Sequence, residues 1–283
     1  MSEERDPKYT VAVCNYNMAD TLEESLRSIL DQLDERFEVL VVDDGSTDGS
    51  QEILDKLEEE YEILRWIEGD NDNIGEARAQ ANRDARGDYI IVQLDADDKF
   101  EPVIQDLVRI YHKIEENRED EFFFGGMAPK TLLTRINYRS MGRGEDRDLW
   151  RRLAAEGKFL ALSRDPFWTP LGYEYGKIDM LKNGYETTKN IFRSGVTWRS
   201  FFKYKILNAE YRDDLYRAVI SPVAYLHART DGIYELPEGY ENFAKGLEEI
   251  EKNEKSIKEL ENKYGFKVKE ELSERGKEIL YNQ

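Results

Sequence analysis

The sequence is short of several things that would define a class of site. It holds a single cysteine, Cys14, so neither an intrachain disulfide nor a cysteine-based zinc centre can form. Its 41 basic residues fall well below its 60 acidic ones, for a formal net charge of −19. Such a surface excludes general binding of nucleic acid, which relies on Lys and Arg against phosphate. No apolar run approaches the roughly 18 residues that span a bilayer. The opening "MSEERDPKYT" lacks the apolar segment of a signal peptide, and the expected compartment is the cytoplasm. No internal repeat is found.

What is present is a regular alternation. The chain has 283 residues, 40% of them hydrophobic, enough for one large domain or a domain with an extension. "YTVAVCNY", "FEVLVVDD", "EILRWIE" and "DYIIVQLD" read as short buried strands. Between them "TLEESLRSIL", "QEILDKLEEEY" and "NIGEARAQANRDA" carry helical spacing, the first with a capping-box signal at Thr21 and Glu24. Strand and helix at this pace predict an α/β fold with a mainly parallel sheet flanked by helices. In such sheets ligands bind at the carboxyl ends of the strands. Asn15–Asn17, Asp43–Ser46 and Asp95–Asp98 each follow a strand, so these three clusters, far apart in sequence, should meet in space.

Each cluster supports two readings. Asp95 and Asp97 suit Mg²⁺ or Mn²⁺, hard cations that take oxygen ligands, or they form a solvated turn, with Asp98 turned away toward the next loop. Asp44 can accept hydrogen bonds from a ribose or base, while Ser46, Thr47 and Asp48 suit a helix cap. Arg78, one turn behind Asn73-Ile74-Gly75, faces a diphosphate or pairs with Glu76 or Asp84. Glu145 and Asp146 open a helix, where the dipole favours the ionised form a general base needs, or simply decorate its end.

Downstream, "EFFFGGMAPKTLLTRI" reads as a strand and a Gly-Gly bend, and the chain from about Asn183 as aromatic-rich helices ending in a highly charged tail of surface helices. "NIFRSGVTWRSFFKYKIL" (190–207) is a basic-aromatic island, suited to lying on anionic lipid or to packing on the main domain. His112 reads as an ordinary mid-helix residue. His227, after what reads as a strand in "SPVAYLHART", is a candidate third metal ligand.

Taken in order, "VAVCNYN", "VVDDGSTDGS", "NIGEARAQAN", "GDYIIVQLDADD" and "GEDRDLW" resemble the family 2 glycosyltransferases of the GT-A fold, over about Tyr9 to Arg152. The resemblance implies a nucleotide-sugar-binding GT-A domain over 1–182, with a donor half (1–100) and an acceptor half (101–182), followed by a mostly helical extension over 183–283. It implies Asp44 at the nucleoside, Asp95 and Asp97 on the metal, and Asp146 as the catalytic base of an inverting transfer. The nucleotide-sugar set is then Asn15, Asn17, Asp44, Arg78 and Asp95, the metal set Asp95, Asp97 and His227, and the cofactor Mg²⁺ or Mn²⁺. The implied partners are a nucleoside-diphosphate sugar and a glycan, lipid-linked or polyprenyl-phosphate acceptor, with a peripheral contact on the inner face of the membrane through 190–207. Two departures stand out: Cys14 replaces the family's common proline, and the span from Asp98 to Asp146 is compact.

Other classes fit less well. A processive synthase would carry membrane spans and a Q-x-x-R-W string, whereas Trp198-Arg199 has the reverse order. A nucleotidyltransferase would carry a Gly-rich, basic loop after the first strand, which "CNYNMADT" is not. A non-catalytic nucleotide-sugar-binding or scaffold protein would not need the full carboxylate set.

Overall fold

The computed structural model describes residues 6–163, 167–172, 177–208, 212–238 and 240–281. The alternation resolves into β1 (Tyr9–Asn15), α1 (Ala19–Leu30), β2 (Phe37–Asp43), α2 (Ser50–Glu60), β3 (Leu64–Glu68), α3 (Ile74–Asp84) and β4 (Tyr89–Asp95). There follow β5 (Asp98–Phe100), α4 (Ile104–Glu115), β6 (Phe123–Phe124), β7 (Met127–Pro129), α5 (Lys130–Arg135), α6 (Glu145–Ala155), β8 (Phe159–Leu162) and β9 (Trp168–Pro170). The second half adds α7 (Lys177–Arg193), α8 (Trp198–Leu207), α9 (Arg212–Asp231), α10 (Phe243–Lys252), β10 (Glu254–Lys255) and α11 (Ile257–Tyr264).

Eight strands form one sheet in the order β10-β8-β6-β7-β4-β1-β2-β3, and β5 pairs with β9 alone. The sheet is parallel except where β7 runs against β4 and β6. Successive side chains of a strand point to opposite faces, so a sheet covered on both sides needs apolar residues throughout. β1 does this: Val11 and Val13 join a core beneath α1, α2 and α4, and Ala12 joins another beneath α3, α5 and α6. Reversal between β2 and β1, which places β4 on the other side of β1, brings the carboxyl ends of all three to one edge.

Two local expectations fail for tertiary reasons. Helix α1 begins at Ala19, before the Thr21 box; Asp48 accepts its first N–H (2.9 Å), and Thr21 donates instead to the carbonyls of Met18 and Ala96. The charged tail is not confined to the surface. β10 adds a parallel strand beside β8, and Ile257, Leu260, Phe266, Val268, Leu272 and Leu280 enter the main core. Helices α7, α8, α9 and the start of α10 enclose a separate cluster around Phe192, Phe201, Ala224, Ala228 and Phe243. Among the described residues no helix is long and apolar enough to cross a membrane.

Candidate active site

A cavity of about 980 Å³ opens at the carboxyl edge of the sheet. Asn15, Asp44, Arg78, Asp95, Asp97 and Asp146 all line it. The predicted convergence of strand ends therefore occurs, and it includes a helix start from downstream.

The loop after β2 is built around Asp43. Its fully buried carboxylate accepts from Asn15 Nδ2 (2.6 Å), Ser46 Oγ (2.6 Å), Ser46 N (3.0 Å) and Gln51 Nε2 (2.9 Å). Burial alone would push this acid up, but those donors outweigh it and leave it below its ordinary value. Asp43 is thus the structural half of the pair, and Asp44 faces the cavity. Asp44 accepts from Asn71 Nδ2 (2.6 Å), and its acidity is weakened by burial. Asn15 keeps its Oδ1 buried without a protein partner, beside the same cavity. Asn17 is used differently: held at φ +54°, it accepts from Thr47 N (2.8 Å) to fix the loop, and it is not among the cavity's lining residues.

Asp95, Asp97 and Asp98 each bring an oxygen within 4.8 Å of the others. Asp98 does not turn away as expected, because β5 begins at Asp98 and pairs with β9, which holds the chain back toward Asp95. Burial, reinforced by Asp97 and then Asp95, pushes the Asp98 carboxyl up to about 6, and burial with Asp95 raises Asp97. An all-oxygen set with mutually repelling charge fits Mg²⁺ or Mn²⁺, which would relieve that repulsion.

Arg78 is the least anticipated element. Its guanidinium, only 12% exposed, donates to Asp95 Oδ1 (2.6 Å) and lies 3.1 Å from Glu145 Oε1. Neither Glu76 nor Asp84 is the partner. Burial alone would lower its hold on the proton; Asp95, Tyr138 and Glu145 outweigh this and keep it charged. The pairing ties the end of β4 to the start of α6, and hence Asp95 to Asp146. Gly75 permits the approach of α3: a Cβ there would lie 2.2 Å from the Arg139 carbonyl. At the start of α6, Gly144 adopts φ +76°, Glu145 turns inward to Arg78, and Asp146 lines the cavity.

His227 is not brought to this site. It lies in α9 rather than after a strand, its Nδ1 is bonded to the Tyr185 hydroxyl, and it joins neither the cavity lining nor the carboxylate cluster. Sequence reasoning missed Asn71, Arg143, Arg147, Thr187 and Arg217, which also line the cavity. Thr187 and Arg217 come from α7 and α9, so the helical extension completes the site's wall. No spacing pattern marks Thr187 and Arg217, whereas Arg147 lies within "GEDRDLW", Arg143 directly before it, and Asn71 two residues before "NIGEARAQAN".

Residues 10–166 match the model of glycosyl transferase family 2. A cholesterol galactosyltransferase of Borreliella burgdorferi is 27% identical over 144 residues, 48% of this chain and 39% of that protein. The chain spans less than half the length of the curated relatives it matches. Two solved structures share its architecture at 16% identity and TM-score 0.51: S. aureus TarS 1-349 in complex with UDP, and the mannosyltransferase PcManGT from Pyrobaculum calidifontis in complex with GDP-Man and Mn²⁺. The former alignment covers 92% of both chains, the latter 92% of this chain and 88% of the other. The fold is therefore GT-A. With the family's model matched over more than half of its residues, the chain belongs to glycosyl transferase family 2.

Proposed function

We propose that this chain is a metal-dependent, inverting glycosyltransferase that moves a sugar from a nucleoside-diphosphate sugar to an acceptor hydroxyl. The observation that carries the reading is the meeting of Asp44, Asp95, Asp97 and Asp146, from the ends of β2 and β4 and the start of α6, around one cavity. Asp44 and Asn15 bind the nucleoside. Asp95, Asp97 and Asp98 hold Mg²⁺ or Mn²⁺, which when bound supplies positive charge to the departing diphosphate. Arg143, Arg147 and Arg217 line the same cavity and add to that field. Arg78, already compensated by two carboxylates, positions Asp95 and Glu145 rather than neutralising the diphosphate by itself.

Asp146 accepts the proton of the acceptor hydroxyl as its oxygen forms a bond to the anomeric carbon. The bond from that carbon to the donor phosphate oxygen breaks on the opposite side, and the diphosphate leaves with the electron pair. A single in-line displacement inverts the configuration. Thermal shift with UDP-, GDP- and dTDP-sugars, with and without Mn²⁺, tests the donor and metal assignments. A metal-dependent rise in melting temperature with at least one donor is expected, since a ligand of the folded state stabilises it. No rise with any donor would sink the reading.

The acceptor is lipid-linked, and α8 and α9 rest on an anionic membrane. Apart from Tyr16 and Trp168, every large apolar side chain that the described residues expose lies between Met180 and Ile233. Leu215, Val219, Val223 and Leu226 form a stripe on α9, next to Phe202, Ile206 and Leu207 of α8. α8 contains Arg199, Lys203 and Lys205 and no acid, in a chain of strongly negative charge. That charge repels a second copy of α8 and complements anionic lipid. Phe192 and Phe201 of the predicted island are core residues, so the contact is shifted from 190–207 toward α9. Co-sedimentation with phosphatidylglycerol vesicles is expected and should fall in Val219→Glu with Leu226→Glu; no sedimentation of the unaltered chain contradicts it.

A further inference from the structure

Beside the donor cavity, the same edge of the sheet holds a second cavity of about 220 Å³. It exists because β6 and β7 stop early. Met127 is paired with Ile91 and Phe124 with Leu160, whereas β4 runs on to Asp95 and β8 to Leu162. The Gly125-Gly126 turn closes the short hairpin, with Gly126 accepting from Val92 N at 2.9 Å, and leaves a gap above it between β4 and β8. Gly126 has no room for a side chain: a Cβ would stand 2.8 Å from the Val92 carbonyl.

The gap is walled by aromatic rings, among them Phe123, Trp150, Phe159 and Trp168. Two polar groups in its lining are buried without a protein acceptor, Gln93 Nε2 and Trp150 Nε1. Unpaired buried donors are uncommon and costly, which marks them as groups a ligand would satisfy. Gln93 also sits at φ +72°, where β4 carries one more residue than β1 between paired positions. Such bulges re-aim side chains beside active sites, and a non-glycine residue persists there only when its surroundings hold it. Among the described residues, the one charged group in the lining is the Glu254 carboxylate, and no Lys, Arg or His lines it.

This composition selects among ligands. The Glu254 carboxylate, with no cation beside it among the described residues, disfavours phosphate. Its volume is too small for a nucleotide. Flat rings take the C–H face of a sugar, while amide and indole N–H groups donate to its hydroxyls and a carboxylate accepts from them. Its position is also specific. Gln93 precedes Asp95 by two residues, about 7 Å along the strand. Trp150 follows Asp146 by one helical turn, about 6 Å.

We propose that this second cavity is the acceptor subsite and takes one uncharged pyranose ring, so that the acceptor is a glycan and not a bare lipid phosphate. The proposal rests on the glycosyltransferase reading above. Its test is saturation-transfer NMR on the full chain with UDP and Mn²⁺ present, using methyl α- and β-hexosides as probes and inorganic phosphate as competitor. Nucleotide affinity is measured alongside on every variant. At least one hexoside should bind, and phosphate should not displace it. Trp150→Phe, which keeps a ring and loses the N–H, should weaken that binding about tenfold, the cost of one lost hydrogen bond. Trp168→Ala, at a partly exposed position, should weaken it as well and covers the case that Trp150→Phe does not fold. Nucleotide binding with no hexoside binding overturns the subsite and leaves the family reading intact. Displacement by phosphate, or hexoside binding indifferent to both substitutions, also overturns it. Loss of nucleotide binding in the unaltered chain would refute the donor assignment instead.

Discussion

Replacing Arg78 with methionine removes the guanidinium that joins Asp95 to Glu145 and leaves a side chain of similar length. The two partners differ in what they then suffer. Asp95 is half exposed, so its share of the pairing is screened by water and contributes little. Glu145 is 8% exposed and loses the cation that pairs with it 3.1 Å away. Stranding one partner of a buried pair costs about 3–5 kcal/mol. The lower end applies here, because Glu145 opens α6, where unpaired backbone N–H groups favour an anion. A loss of about 3 kcal/mol corresponds to a melting temperature lower by about 6–12 °C for a chain of this size. Introducing Glu145→Gln into Arg78→Met should then restore about 2 kcal/mol, since the stranded charge is gone. Urea unfolding of the four proteins of the cycle measures this directly. An Arg78→Met protein as stable as the parent, or one that Glu145→Gln fails to rescue, would show that the bridge does not tie α6 to β4.

Further outcomes follow from the same geometry. Gly75→Ala, a change that ordinarily strengthens a helix by about 1 kcal/mol, should instead destabilise by about 1–3 kcal/mol, because its Cβ meets the Arg139 and Met141 carbonyls. Thermal melting reads the sign, and a stabilised variant would refute the close approach. Burial pushes the Cys14 thiol up to about 12, against the opposing effect of Arg78. Since the thiolate is the reactive form, alkylation by iodoacetamide at pH 8 should run about a thousandfold slower than for a free thiol and rise tenfold per pH unit. Reaction at the rate of glutathione would show the sulfur to be solvated.

The first hundred residues were readable in the sequence because their determinants are local and periodic. Apolar strands with a chemistry-bearing residue at each end lead, through parallel pairing, to Asn15, Asp44 and Asp95 on one edge. Glu145 and Asp146 open α6 as their placement implies. What could not be read depends on contacts between distant segments. Arg78 has Glu76 and Asp84 near it in sequence and bonds instead to residues 17 and 67 positions away. Asp98 is turned by a strand, β9, that lies about 70 residues downstream. "SPVAYLHART" reads as a strand before His227, yet Ala218, Ser221, Ala224 and Ala228 form a buried stripe of small residues at helical spacing. That stripe was a usable signal, and it accounts for the displacement of His227 from the metal set.

The assignment of Asp146 as the base bears most directly on the account as a whole. Asp146→Asn removes the proton acceptor and keeps a side chain of the same shape beside the cavity. With the donor identified by thermal shift, transfer should fall by about 10²–10⁴-fold, the usual contribution of a general base. Affinity for the nucleotide sugar with Mn²⁺, measured by calorimetry, should stay within about threefold of the parent, or about 0.7 kcal/mol. Retained transfer, or a collapse of donor affinity that accounts for the loss, would contradict the account.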